Sequence, residues 1–138
     1  MACKFLSAGG SGTTSDAIKC IDYAVAKGAR ILNNSWGGGA YSQALFNAIA
    51  TAQSQGVLFV AAAGNNGRNT DSAPHYPSSY AIDNVVSVAA MDRTNLLAGF
   101  SNFGRQSVDL GAQGVRIYST TAGSDPDVDP WLLYDDGV

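Results

Sequence analysis

From Ser15 onward the apolar residues Ala17, Ile18, Ile21, Ala24 and Val25 return at the spacing that lines one face of a helix. Ser15 and Asp16 suit its N-terminus, where side-chain oxygens accept unpaired backbone N–H groups, and Gly28 suits its C-terminal cap. A second helix is predicted from near Ser42, with Leu45, Ala48, Ile49 and Ala52 turned inward and Gly56 as its stop. Around these helices the period changes. Ala2-Cys3-Lys4-Phe5-Leu6 and Arg30-Ile31-Leu32-Asn33-Asn34-Ser35 have the length of strands. Val57-Leu58-Phe59-Val60-Ala61-Ala62-Ala63 is a continuous apolar run between glycines, the signature of a central strand buried on both faces. Asn84–Ala89 reads as a further strand, and Ala98–Ser101, Val108–Leu110 and Val115–Tyr118 as short strands with tight turns. After Ser119 regular structure fades into Asp and Pro, apart from the apolar patch Trp131-Leu132-Leu133-Tyr134.

Alternation of strand and helix predicts an α/β fold, a parallel sheet whose crossover helices pack against it. At 138 residues, 46% hydrophobic and 14% charged, the chain has the length and core content of one domain. A net charge of -3 offers no broad basic surface, so neither nucleic acid nor anionic membrane is an expected partner. No apolar run approaches the roughly 20 residues that span a bilayer. Two cysteines, Cys3 and Cys20, are too few for a disulfide scaffold and lie in no Cys-x-x-Cys pair, so both read as buried free thiols.

Ligands of open parallel sheets sit beyond the carboxyl ends of the strands, and three such ends hold candidate chemistry. The loop Gly9-Gly10-Ser11-Gly12 leads into a helix as a phosphate-binding loop would. Ser15 stands where a third glycine belongs, however, and the next strand ends in Asn33-Asn34 without an acidic residue for a ribose; a flexible connection is the better reading. At Asn34-Ser35-Trp36-Gly37-Gly38 the backbone runs out of strand partners, so an extended peptide could add there as a strand, although a turn around a packed tryptophan has the same composition. At Ala61-Ala62-Ala63-Gly64-Asn65 tiny side chains allow another backbone close, and Asn65 offers an amide donor suited to an oxyanion hole.

Taken together, Asn34-Ser35-Trp36-Gly37-Gly38 and Val60-Ala61-Ala62-Ala63-Gly64-Asn65 resemble the substrate-binding strands of subtilisin-like serine proteases. The resemblance continues in order through His75-Tyr76-Pro77-Ser78-Ser79-Tyr80, Val85–Ala90, the hairpin Ala98-Gly99-Phe100-Ser101-Asn102-Phe103-Gly104, and Val108-Asp109-Leu110-Gly111-Ala112-Gln113-Gly114, where Gln113 replaces a usual proline. It implies a three-layer parallel sheet with flanking helices, incomplete at both ends, with residues 1–122 a partial peptidase domain and 123–138 an irregular tail. By the same resemblance, Asn65 donates to the oxyanion, Ser35, Trp36 and Gly37 pair with a peptide or protein substrate, and Ala62, Ala63 and Gly64 form a wall of the S1 pocket. Asp109, with backbone oxygens around Ser78, Tyr80 and Asp83, matches a region that holds calcium or another cation in some relatives; no cofactor is otherwise required. The parent family is commonly secreted.

Hydrolysis by this family's route needs a serine nucleophile, a histidine base and an orienting carboxylate. The family motifs for all three are missing from the sequence, and Tyr134-Asp135-Asp136-Gly137 reads like the approach to the serine motif. The expectation is therefore a fragment of an endopeptidase, inactive alone and prone to self-association, with a non-catalytic peptide-binding or self-associating α/β module as the alternative. His75 is the only histidine, and Asp71 and Ser72 lie near it in sequence. It reads as a solvated loop residue near the base of the S1 pocket rather than as part of an improvised triad.

Overall fold

The computed structural model describes residues 1–117. Helix α1 spans Thr14–Ala26, and its first turn is closed by Thr13, whose hydroxyl accepts the Asp16 N–H. Asp16 also pairs with Lys19 at 2.9 Å, three residues on along the exposed face. Gly28, at φ +80°, supplies the left-handed residue that ends the helix. Helix α2 spans Gln43–Ser54, capped by the Ser42 hydroxyl on Leu45 N–H and followed by Gly56 at φ +72°.

Four strands, β1 (Ile31–Asn34), β2 (Leu58–Ala62), β3 (Val85–Met91) and β4 (Leu110–Gln113), form one sheet in the order β1-β2-β3-β4. All neighbouring pairs are parallel, with Asn34 opposite Ala61 and Ala62 opposite Val88. The α/β class and parallel sheet with helices agree with the sequence. Ile21, Ala24, Leu45, Ile49 and Ala52 from the helices meet Leu32, Phe59 and Ala61 from the sheet in one core, with Phe59 and Ile49 at 0% exposure. Burial of such side chains contributes about 1.5–3 kcal/mol each and holds the helices to the sheet.

Several expectations are corrected. Ala2–Leu6 makes no strand; instead Phe5 sits edge-on against Trp36 with ring centroids 5.2 Å apart. The apolar run at Val57–Ala63 is not buried on both faces. Both helices lie on one side, so β2 alternates: Phe59 and Ala61 are buried while Leu58 remains 37% exposed. Ile31 of β1 shares that open face at 64% exposure. Ala98–Ser101 contributes only turn backbone beside an isolated Met91–Leu97 bridge. The strand read at Val108–Leu110 starts only at Leu110, because Asp109 is occupied: its N–H donates to the Ser87 carbonyl and its Oδ2 accepts the Ser87 N–H at 2.7 Å. Val115, Arg116 and Ile117 form no strand, and Tyr118, Trp131–Tyr134 and Tyr134–Gly137 lie outside the described residues.

Candidate active site

The ends of β1 and β2 come together because each is secured by an asparagine that carries side-chain hydrogen bonds where the sheet stops. Asn34, buried at the last position of β1, donates from Nδ2 to the carbonyls of Leu32 and Val60 and accepts the Trp36 indole N–H at 3.1 Å. The indole is thereby fixed beside the departing chain, and Ser35, Gly37, Gly38 and Gly39 are left exposed around it. Gly38 N–H reaches the Tyr76 carbonyl at 3.0 Å, which ties this segment to the loop after β2. The Tyr80 hydroxyl completes the tie by accepting Ser42 N–H and donating to Ser42 C=O.

Beyond β2, Ala63 is buried, Gly64 half-buried and Asn65 exposed. Gly64 adopts φ +105°, a region costly for any residue with a Cβ, and an added Cβ would collide with the Asn102 side chain and lie 2.9 Å from His75 Nε2. Asn102 is 2% exposed and grips the loop from beneath. Its Nδ2 donates to Ala63 C=O at 2.8 Å, its Oδ1 accepts Asn66 N–H and Arg68 N–H, and its own N–H donates to Gly64 C=O. Asn65 is thus held on both sides while its side-chain amide has no hydrogen-bond partner among the described residues.

His75 lies between the two strand ends. Its imidazole would block a Cβ at Gly37 as well as at Gly64, so both glycines are needed for its close approach. The ring is half-buried rather than solvated, which corrects the sequence reading, and desolvation pulls its pKa below the ordinary 6.5. No improvised triad is built around it. Asp71 spends its carboxylate on Arg105, Gln106 and Ser107 N–H and on the Ser107 hydroxyl, and Ser72 Oγ donates to Asn69 C=O.

Of the expected substrate-binding residues, Ser35, Trp36 and Gly37 line a cleft of about 390 Å³ with Phe5, Gly12 and Tyr76. Ala62, Ala63, Gly64 and Asn65 lie outside that cleft, at the end of the neighbouring strand. Gly12 is explained by packing, since a Cβ there would stand 2.6 Å from Phe5 C=O. Asn34 and Asn102 are the site residues that sequence reasoning passed over. For Asn34 the signal was an asparagine at the end of a strand-length run, where a buried amide must be answering unpaired backbone groups; Asn102 carries no such local signal.

The expected cation ligands Ser78, Tyr80, Asp83 and Asp109 do share one cleft, of about 520 Å³. Their fit to calcium is poor. Asp109 uses Oδ2 on Ser87, and among the described residues no group of three or more His, Cys, Asp or Glu could hold a metal ion. Backbone carbonyls and water would have to supply the remaining oxygens that calcium takes.

Comparison with known proteins gives this geometry a context. The family model of the subtilase family matches residues 1–130. A thermophilic serine proteinase of Bacillus sp. (strain AK1) is 43% identical over 124 residues, which are 90% of this chain and 29% of that protein. Subtilisin Savinase of Lederbergia lenta is 40% identical over 123 residues, 89% of this chain and 44% of the relative. Among solved structures, a cold-adapted subtilisin-like serine proteinase superposes with a TM-score of 0.73 at 34% identity, over 83% of this chain and 40% of that one. The prenylagaramide maturation protease PagA gives a TM-score of 0.70 at 32% identity, over 82% and 41%. The chain therefore spans less than half the length of these relatives.

Proposed function

The chain belongs to the subtilase family, and on that premise we propose that it carries the oxyanion and peptide-binding part of a serine endopeptidase, the nucleophile, base and orienting carboxylate lying in family sequence that these 138 residues do not include. The observation that carries this reading is the Asn65 amide, without a hydrogen-bond partner among the described residues, on a loop pinned by Asn102, with His75 bridging its neighbour Gly64 to the largely exposed segment Ser35–Gly37.

In this mechanism an extended substrate lies along Ser35, Trp36 and Gly37 as an added strand, exchanging hydrogen bonds with their backbone N–H and C=O groups. Ala62, Ala63 and Gly64 wall the pocket for the side chain before the scissile bond, small enough to let it approach. When a serine oxygen attacks the scissile carbonyl, its carbonyl oxygen gains negative charge, and Asn65 Nδ2 donates a hydrogen bond to it. A donor already held in place stabilises the charge without reorganising during the reaction. Asn65 accelerates an attack that another group begins; it supplies no attacking atom. Secretion of the parent protein forms part of the same reading, and its recovery from culture medium is the check.

Two assays test the proposal. The isolated chain is expected neither to hydrolyse a chromogenic peptide nor to take up a serine-directed phosphonylating inhibitor stoichiometrically. In the parent enzyme, Asn65→Ala is expected to lower kcat by about 10²–10³-fold with little change in KM, a magnitude taken from subtilisin's own oxyanion asparagine. Stoichiometric labelling of the isolated chain, or a parent enzyme indifferent to Asn65→Ala, overturns it.

A further inference from the structure

The sequence separates Cys3 and Cys20 by a whole loop and about two helix turns, yet the fold brings them into one cleft. Both are free and partly buried, and both line a cleft of about 400 Å³ with Phe5, Ile21 and Trp36. Cys3 packs against the core cluster that contains Ile21, the residue after Cys20. Beside burial, the nearby Cys3 thiol helps to push the Cys20 thiol pKa up.

The segment that carries Cys3 is otherwise loosely fastened. Among the described residues, the backbone hydrogen bonds of residues 1–12 run only within that segment, Ser7 N–H to Ser11 C=O and Gly10 N–H to Ser7 C=O. It is held to the rest of the molecule by side-chain packing, chiefly Phe5 on Trp36. A covalent link between Cys3 and α1 would therefore constrain a part of the chain that the sheet does not.

We propose that Cys3 and Cys20 form a disulfide site, closed by exchange with a small-molecule disulfide such as oxidised glutathione, and that its closure clamps residues 1–13 against α1. One cysteine thiolate attacks a glutathione sulfur, the glutathione S–S bond breaks, and one glutathione thiolate leaves with a mixed disulfide remaining on the protein. The other cysteine, deprotonated, then attacks the protein-side sulfur of that mixed disulfide and expels the second glutathione thiolate. Two cysteine thiols are oxidised, one external disulfide is reduced, and the two protons released are taken up by the two leaving thiolates. Burial and the neighbouring sulfur push the Cys20 thiol pKa up, so exchange is faster in mildly alkaline buffer. Because Phe5 and Gly12 on the clamped segment line the same cleft as Ser35, Trp36 and Gly37, the crosslink stiffens one wall of that cleft. The site stands independently of the catalytic reading.

The test equilibrates the full 138-residue chain with glutathione redox buffers, natively and in urea, then traps free thiols with N-ethylmaleimide. Intact mass and non-reducing peptide mapping follow. The expected native product is an intramolecular Cys3–Cys20 link, formed with an equilibrium constant at least about tenfold larger than in urea. It should be accompanied by a rise in Tm that dithiothreitol reverses. Cys3→Ser and Cys20→Ser should each stop at the mixed disulfide and show no rise. Two glutathiones per native chain, intermolecular crosslinks in place of the internal one, or a native equilibrium constant no larger than that in urea overturns the proposal.

Discussion

The side-chain amide of Asn102 donates to the carbonyl of Ala63 at 2.8 Å, and its other atom, Oδ1, takes the N–H groups of Asn66 and Arg68. One buried residue from the turn after β3 thus serves both flanks of Asn65, so the loop has a defined shape before any ligand arrives. Ala63 and Asn102 are both buried, so the bond between them is shielded from bulk solvent.

Asn102→Ala should accordingly destabilise the fold by about 1–3 kcal/mol, the usual cost of leaving a buried polar group unpaired. Asn102→Asp separates donor from acceptor: it keeps the oxygen facing Asn66 and Arg68 but places a carboxylate oxygen against Ala63 C=O, and it should lose as much. Urea unfolding of the three proteins decides; an Asn102→Ala loss below about 0.5 kcal/mol would show that the loop is held by something else.

The contrast between Asn102 and Phe59 explains what the sequence made legible. Phe59 announces itself through an apolar run, and the sheet and both helices follow from such runs and from Ser42, Gly28 and Gly56, although α1 is capped by Thr13, just ahead of the expected Ser15 and Asp16. Asn65 stands out as a candidate because it ends one of these runs. Asn102 sits in a turn whose local pattern says nothing of the backbone 39 residues away that it serves, and a hydrogen bond at that separation leaves no periodic trace. The open face of β2 was misjudged for a related reason: an apolar run records that a strand can be buried on both sides, and Leu58 shows that only one side is covered by the described elements. Cys3 and Cys20 were separated in sequence and joined only by the tertiary fold.

That open face has a consequence for the isolated chain. Ile31 at 64% and Leu58 at 37% exposure belong to a sheet surface with no helix on it among the described residues, and contiguous apolar surface draws partners. Self-association is expected to rise with concentration and to weaken in the Ile31→Lys/Leu58→Lys double variant. Size-exclusion chromatography with light scattering over a dilution series reads this, and a monomer at every concentration would refute it.

Calcium should stabilise the chain weakly at most, since Asp109 has one oxygen committed to Ser87 and the other oxygens would be backbone carbonyls and water. Asp109→Asn is expected to remove most of any calcium-induced rise in Tm. It should also lower the Tm in chelator, because the Ser87 N–H loses a charged acceptor. Differential scanning calorimetry of both proteins with and without calcium distinguishes the effects; an equal calcium shift in the two would take Asp109 out of the site.

His75 gives the fold a specific sensitivity to acid. Its ring is squeezed between Gly37 and Gly64, and burial favours the neutral imidazole, so its folded pKa lies below the ordinary 6.5 that it recovers on unfolding. Between these two values the unfolded chain binds more protons than the folded one, and stability therefore falls as pH falls. The contribution is fully present above 6.5 and is lost as pH drops through the folded value. Asp71 acts in a lower window: the Ser107 hydroxyl and the Arg105, Gln106 and Ser107 amides hold its carboxylate below the ordinary 3.8, so its contribution fades only in stronger acid. The two windows can be separated. Urea unfolding from about pH 7.5 down to about pH 5 should show a declining stability that His75→Asn flattens, the variant having no imidazole to titrate there. As the only histidine in the chain, His75 gives a single imidazole signal by NMR, and its titration midpoint should fall below 6.5 in the folded protein. A midpoint at or above that value, or a stability slope unchanged by His75→Asn, would mean that the ring is solvated and that the gap between Gly37 and Gly64 is open to water.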